Sequence, residues 1–130
     1  KMLLVEDDAA LAELLIWHFK REDFDVAHTV DGEEALLMAQ ENTPDIVLLD
    51  VMMPGLDGSE VCRRLKQAPE TAAIRVVAMT GFHSSEVERR MLAAGAETLL
   101  RKPFTGSEVI AACGLASVTE SSFQQSSQGV

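Results

Sequence analysis

The sequence predicts an α/β fold in which five parallel strands alternate with five helices. The strongest indication is a set of apolar runs that are nearly continuous, as in strands buried on both faces of a parallel sheet. Between these runs the apolar period changes to about 3.6 residues, which is typical of amphipathic helices. A length of 130 residues with 47% hydrophobic residues suits one compact domain with a core. The expected architecture is therefore a doubly wound (βα)5 sandwich of three layers.

Five apolar runs mark the predicted strands. They occupy residues 2–5, 24–27, 46–49, 74–79 and 98–100. The first, third and fourth runs are almost purely apolar, whereas strict alternation, the mark of a half-exposed antiparallel sheet, is missing from the sequence. Parallel strands joined through helices require right-handed crossovers, which place helices on both faces of the sheet.

Capping signals precede the second to fifth predicted helices. The pairs with the spacing of an N-cap residue and the third helical residue are Asp31 with Glu34, Asp57 with Glu60, Ser85 with Glu88, and Thr105 with Glu108. Gly95 follows the fourth helix, where a left-handed residue is favoured. The residues predicted to form the apolar face of the first helix are Leu11, Leu14, Leu15, His18 and Phe19.

Charge and composition exclude several classes of function. The net charge is −10, and residues 1–62 hold 15 acids against 3 Lys and Arg, so direct binding of nucleic acid by this domain is not expected. No apolar run approaches the ~18 residues of a membrane span, and no secretory signal is present, so we expect a cytoplasmic protein without membrane contact. The isolated Cys62 and Cys113 are interpreted as buried apolar residues.

The chain divides into a domain and a tail. Residues 1–116 are predicted to form the single domain. Residues 117–130 are rich in Ser and Gln and show no periodicity, so we interpret them as a disordered tail or a linker remnant.

Polar side chains follow four of the predicted strands. Asp7 and Asp8 come after the first strand, Asp50 ends the third, Thr80 ends the fourth, and Lys102 follows the fifth. Because ligand sites of open parallel sheets form at the carboxyl ends of the strands, we expect these side chains to meet at one edge.

Clustered carboxylates repel one another, and a divalent cation relieves that repulsion. Oxygen ligands favour Mg²⁺ or Ca²⁺, and a small open site that keeps water molecules favours Mg²⁺. Lys102 and Thr80 would then bind an anion. These are the parts used in phosphoryl transfer, in which a carboxylate can act as nucleophile and form an aspartyl phosphate.

Four segments carry a resemblance to a known family. LLVEDD, DIVLLDVMMPGLDG, VVAMTG and LLRKPF occur in this order over residues 1 to about 113, and together they resemble the receiver domains of bacterial two-component response regulators. The resemblance implies a flavodoxin-like fold with the strand order 2-1-3-4-5. Pro54 and Gly58 match the family's loop after the acceptor strand, whereas Leu99 stands where many receivers carry Tyr or Phe.

The resemblance also implies a role for each site residue. Asp50 would be the phosphoacceptor, Thr80 the switch hydroxyl, and Lys102 the lysine typical of the family. The implied ligands of Mg²⁺ are Asp7, Asp8, Asp50 and the backbone carbonyl of Met52.

The leading hypothesis is a signalling module that accepts a phosphoryl group from a sensor histidine kinase or a phosphotransfer protein. Phosphorylation would switch a face that binds a downstream effector, and a homodimer is left open. Such a module is not an enzyme beyond its own phosphorylation and dephosphorylation.

Three alternatives use the same or similar parts. A degenerate receiver would act only in protein contacts, and the complete set of charged residues argues against it. A flavin-binding electron carrier requires a phosphate loop where this chain has acidic residues. A haloacid-type phosphohydrolase requires an acid two residues after its nucleophile, where Met52 stands.

Overall fold

The structure is a computed structural model that describes residues 1–53 and 55–114. Strands and helices alternate throughout this part of the chain. The strands are β1 (Met2–Val5), β2 (Val26–Thr29), β3 (Ile46–Asp50), β4 (Arg75–Thr80) and β5 (Thr98–Arg101). The helices are α1 (Ala9–Arg21), α2 (Gly32–Asn42), α3 (Gly58–Gln67), α4 (Ser85–Ala94) and α5 (Gly106–Ala112).

The five strands form one parallel sheet in the order β2-β1-β3-β4-β5. The predicted fold class and strand order are therefore confirmed. In the register of the central strands, Leu4 pairs with Leu48, and Leu48 pairs with Val77. All three side chains are fully buried, as expected for strands covered on both faces.

The sheet separates two apolar clusters. On one face, α2, α3 and α4 pack against Val47 and its neighbours. On the other face, α1 and α5 pack against Leu48, with Phe19 of α1 completely buried. Leu14, predicted on the apolar face of α1, is instead 52% exposed because α1 meets the sheet through Ala12, Leu15 and Phe19.

Strand β2 begins two residues later than predicted. The apolar ring of Phe24 does not belong to the strand. It packs edge-on against Phe19, with ring centres 6.0 Å apart. Its backbone N–H donates to the carbonyl of Phe19 and not to a neighbouring strand. Phe24 therefore closes the end of α1, and β2 starts at Val26.

Capping residues agree with the sequence at three helices and differ at one. Asp31, Asp57 and Thr105 are N-caps, and Thr105 forms a full capping box with Glu108. The cap of α4 is Ser84, not Ser85, and its hydroxyl accepts from the N–H of Val87. Gly95 ends α4 in the left-handed region at φ 109°, as predicted.

Both cysteines are buried and unpaired, as the sequence indicated. Burial raises the pKa of the Cys62 thiol to about 11 and that of Cys113 to about 12. We therefore expect neither thiol to react with a disulfide reagent at pH 8 in the native protein, and both to react after unfolding. Thiol absorbance assays with and without denaturant check this, and full labelling of the native protein would contradict it.

None of the described helices is long and apolar enough to cross a bilayer. Pro54 and the predicted tail at residues 117–130 lie outside the described residues.

Candidate functional site

Polar side chains from the ends of the strands lie at one edge of the sheet. Asp7, Asp50 and Lys102 are among them, as the sequence predicted, whereas Asp8 caps α1. Asp50 is the last residue of β3, and Thr80 is the last residue of the adjacent β4. Lys102 follows β5, and its Nζ lies 3.1 Å from Oδ2 of Asp50. The acidic residues after β1 complete the group.

Asp50 is held at both carboxylate oxygens. Its Oδ1 accepts a hydrogen bond of 3.0 Å from the backbone N–H of Met52, and its Oδ2 accepts from Lys102. The residue is 3% exposed, so the carboxylate is fixed in place near the base of the site. The side chain of Met52 is exposed at the rim.

Glu6 is a site residue that sequence reasoning missed. Its carboxylate is completely buried, with Oε1 accepting from Lys102 at 3.0 Å and Oε2 accepting from the backbone N–H of Asp8 at 3.1 Å. Burial raises the pKa of Glu6, although both hydrogen bonds oppose that rise. Burial alone would lower the pKa of Lys102, but the hydrogen bond to Glu6 and the charge of Asp50 raise it. The ammonium group of Lys102 therefore donates hydrogen bonds to two carboxylates, those of Glu6 and Asp50.

The acidic group around Asp50 consists of Glu6 and Asp7, not of Asp7 and Asp8. Carboxylate oxygens of Glu6, Asp7 and Asp50 lie within 4.8 Å of one another. Asp8 instead caps α1, where its Oδ1 accepts from the N–H of Leu11 at 3.1 Å. An Asp directly before the first helical residue is a standard N-cap signal, and this signal distinguishes Asp8 from its two neighbours.

The group fits a small divalent cation. It offers only oxygen ligands, and three clustered carboxylates gain from a positive charge placed among them. Asp7 is exposed, so an ion there would keep water ligands, as Mg²⁺ prefers. The N–H of Met52 donates to Asp50, which places residue 52 beside that carboxylate, and the carbonyl of Met52 is the ligand that the resemblance predicts.

Thr80 is completely buried, and its hydroxyl is bound to the loop that follows β4. The hydroxyl donates to the carbonyl of Phe82 at 2.9 Å and accepts from the N–H of Phe82 at 3.1 Å. Phe82 itself is 63% exposed. The sequence predicted Thr80 at the site but gave no indication of this partner.

Gly58 brings the start of α3 against the backbone at the end of β3. A β-carbon at this position would lie 2.8 Å from Cα of Val51 and 3.2 Å from the carbonyl oxygen of Asp50. The preceding Asp57 accepts a hydrogen bond of 2.6 Å from Arg90 of α4. The loop between β3 and α3 is therefore fixed to both the end of β3 and α4.

Known proteins share this sequence pattern. Residues 2–113 match the family model described as the response regulator receiver domain. Over 111 residues, the chain is 40% identical to the phosphate regulon transcriptional regulatory protein PhoB of Rhizobium meliloti. That match covers 85% of this chain and 49% of the relative, so the chain spans about half the length of the curated relative.

Solved structures share the fold. A putative response regulator from Chloroflexus aurantiacus matches with a TM-score of 0.80 and 33% identity, covering 85% of this chain and 90% of that one. The receiver domain of a sensor histidine kinase from Pseudomonas aeruginosa matches with a TM-score of 0.79 and 25% identity, covering 88% and 93%. That structure holds a magnesium ion coordinated in its active site cleft. With a family match over nearly all of the described residues, the chain belongs to the response regulator receiver domains of two-component signalling.

Proposed function

We propose that this chain accepts a phosphoryl group onto Asp50 in a reaction that depends on Mg²⁺, and that the modification switches a partner-binding face. The observation that carries the proposal is the environment of Asp50. Its carboxylate is nearly buried and fixed between Lys102 and the N–H of Met52, and two further carboxylates lie beside it. A cluster of three carboxylates is not expected from a purely structural role. Repulsion between like charges raises the free energy of the folded state unless a cation binds among them.

Each side chain has a defined task in the proposal. Asp7, Asp50 and the carbonyl of Met52 hold the ion, with Glu6 next to them, whereas Asp8 remains a helix cap. Bound Mg²⁺ supplies positive charge to the phosphoryl oxygens.

Transfer forms a bond between phosphorus and a carboxylate oxygen of Asp50. It breaks the bond from phosphorus to the donor, whose leaving atom keeps the electron pair. Lys102 then exchanges its contact with Asp50 for one with a phosphoryl oxygen. The chain acts on no separate substrate, and its only reactions are its own phosphorylation and dephosphorylation.

The proposed donor is a sensor histidine kinase or a phosphotransfer protein, and the proposed recipient is a downstream effector. Similarity to a transcriptional regulatory protein and to a receiver domain of a sensor kinase supports this assignment. The net charge of −10 favours protein partners over direct binding of nucleic acid by this domain. A cytoplasmic location belongs to the same proposal, and a homodimer is left open by it.

A phosphorylation assay with Asp50→Asn tests the proposal. With acetyl phosphate and Mg²⁺, the intact mass of the wild-type protein should rise by one phosphate, and hydroxylamine should remove it, as expected of an acyl phosphate. Asp50→Asn should show no such rise, because its amide is not a nucleophile. Asp31→Asn, which keeps a good N-cap, is the matched control and should behave as wild type.

The assay also separates the proposal from the degenerate alternative. A folded wild-type protein that takes up no phosphate from any donor would favour a module for protein contacts only. Uptake by Asp50→Asn with the efficiency of wild type would refute the assignment of the acceptor.

A further inference from the structure

Arg90 of α4 contacts the end of the loop between β3 and α3. Its Nη2 donates to Oδ2 of Asp57 at 2.6 Å and to Oγ of Ser59 at 3.3 Å. The other carboxylate oxygen of Asp57 accepts from the N–H of Ser59, so Asp57 is also the N-cap of α3. One carboxylate therefore fixes the start of α3 and binds a cation from α4.

A cleft lies between this loop and α4. It has a volume of about 410 Å³, and Met52, Arg90 and Met91 are among the residues that line it. Met52 is 57% exposed, so the packing of its side chain contributes little to the position of its backbone. The contact of Arg90 with Asp57 spans the cleft and restrains the loop from the side of α4.

We propose that Arg90 is a positioning residue for the Mg²⁺ site, because its hold on Asp57 restrains the loop that carries Met52. The inference rests on the Mg²⁺ site of the proposed function, in which the carbonyl of Met52 binds the ion. Residues 52 and 57 belong to one short loop between β3 and α3, so a restraint at residue 57 narrows the positions open to that carbonyl. A ligand atom that is already in place binds an ion with a smaller loss of conformational entropy.

The charge of Arg90 distinguishes positioning from a general electrostatic effect. A positive charge near a cation site repels the ion, so the field of the guanidinium alone would weaken Mg²⁺ binding. Removal of that charge would then tighten binding. Positioning predicts the opposite result, in which loss of Arg90 weakens Mg²⁺ binding although the chain becomes more negative. The two explanations therefore differ in the sign of one measured change.

Three variants and one control test the inference. Arg90→Met removes the cation, whereas Arg90→Lys keeps it, and one lysine nitrogen can replace Nη2 because both hydrogen bonds come from that atom. Asp57→Ser keeps a good N-cap but has no carboxylate for Arg90. Arg63→Met is the matched control, because it loses the same charge from a residue that pairs with Glu60 of its own helix.

Mg²⁺ titrations followed by amide NMR shifts give the Kd of each protein. Arg90→Met and Asp57→Ser should each raise the Kd about two- to fivefold, the range expected from an ion pair whose side chains are about half exposed. The double variant should bind no more weakly than the weaker single variant, because both changes remove the same contact. Arg90→Lys and Arg63→Met should keep the Kd of wild type.

Amide exchange without Mg²⁺ gives a second measurement. The N–H of Met52 donates to Asp50, and its exchange reports the freedom of the loop. Arg90→Met should speed this exchange by a factor similar to its effect on the Kd, and Arg63→Met should not change it. Equal exchange at Met52 in wild type and Arg90→Met would show that Arg90 does not restrain the loop.

The possible failures are distinguishable. An equal or lower Kd in Arg90→Met overturns the positioning role, and so does a rise of equal size in Arg63→Met. A wild-type protein that binds no Mg²⁺ overturns the metal site and the role of Arg90 with it. If Mg²⁺ binds and Arg90→Met weakens it as expected, but no phosphate is taken up from acetyl phosphate, phosphorylation of Asp50 is refuted and the positioning role stands.

Discussion

Asp7→Asn is expected to abolish the stabilisation of this protein by Mg²⁺, whereas Asp8→Asn, one residue away, is expected to leave it unchanged. Asp7 contributes a carboxylate oxygen to the group with Glu6 and Asp50, and Asp8 does not. Asp8 caps α1, a task that asparagine performs as well as aspartate. The two variants lose the same charge, so general electrostatics cannot explain a difference between them.

Thermal unfolding with increasing Mg²⁺ measures the effect. An ion that binds only the folded state stabilises it by about 2.7 kcal/mol at a concentration one hundred times its Kd. For a domain of this size that corresponds to a rise of roughly 10 °C in Tm. Wild type and Asp8→Asn should show the rise, and Asp7→Asn should show none. Loss of the rise in both variants would support the pairing of Asp7 with Asp8 that the sequence predicted.

Gly58→Ala is expected to destabilise the fold by about 1–3 kcal/mol and to slow phosphorylation strongly. The added carbon would stand 2.8 Å from Cα of Val51, and the neighbouring atoms are backbone, not the end of a flexible side chain. Relief of this clash requires the start of α3 and the end of β3 to move apart. Asp50 lies at that end, so its carboxylate would lose its alignment with Lys102.

Gly81→Ala is the control for a glycine in a loop at the same edge of the sheet. A β-carbon there meets Cδ of Lys102 at 3.9 Å, which is ordinary contact. Denaturant unfolding of both variants gives the change in stability, and the acetyl phosphate assay gives the change in rate. If Gly58→Ala matched wild type in both measurements, the close approach of α3 to the end of β3 would not constrain the site.

The sequence predicted the fold because its signals are local and repeated. Continuous apolar runs and helical periods identify every element, and the connection rules for parallel strands limit the topology. One kind of error arises where two residues of the same type could occupy one position. Ser84 and Ser85 are both suitable N-cap residues. Ser84 is the N-cap in the structure, because its backbone is extended at φ −147°.

The acidic residues of the site show the same kind of ambiguity, because several residues of one type are adjacent in the sequence. Three acids follow β1, and only the geometry of the turn shows which of them face Asp50. Glu6 lies in the site because β1 ends at Val5. Asp8 lies outside it because α1 starts at Ala9. The hydrogen bonds between Thr80 and Phe82 follow the general preference of threonine for bonding the backbone two residues on, but the sequence alone does not show that this threonine does so.

The shared position of Lys102 has a consequence for the order in which the proposed ligands bind. The formal charges of Glu6, Asp7, Asp50 and Lys102 sum to −2, because three carboxylates share one ammonium group. Such a field attracts divalent ions from solution and repels anions, most of all at low ionic strength. A bound divalent ion cancels the excess charge. Under the proposed function, these four side chains therefore favour an order of binding in which the cation precedes the phosphoryl group.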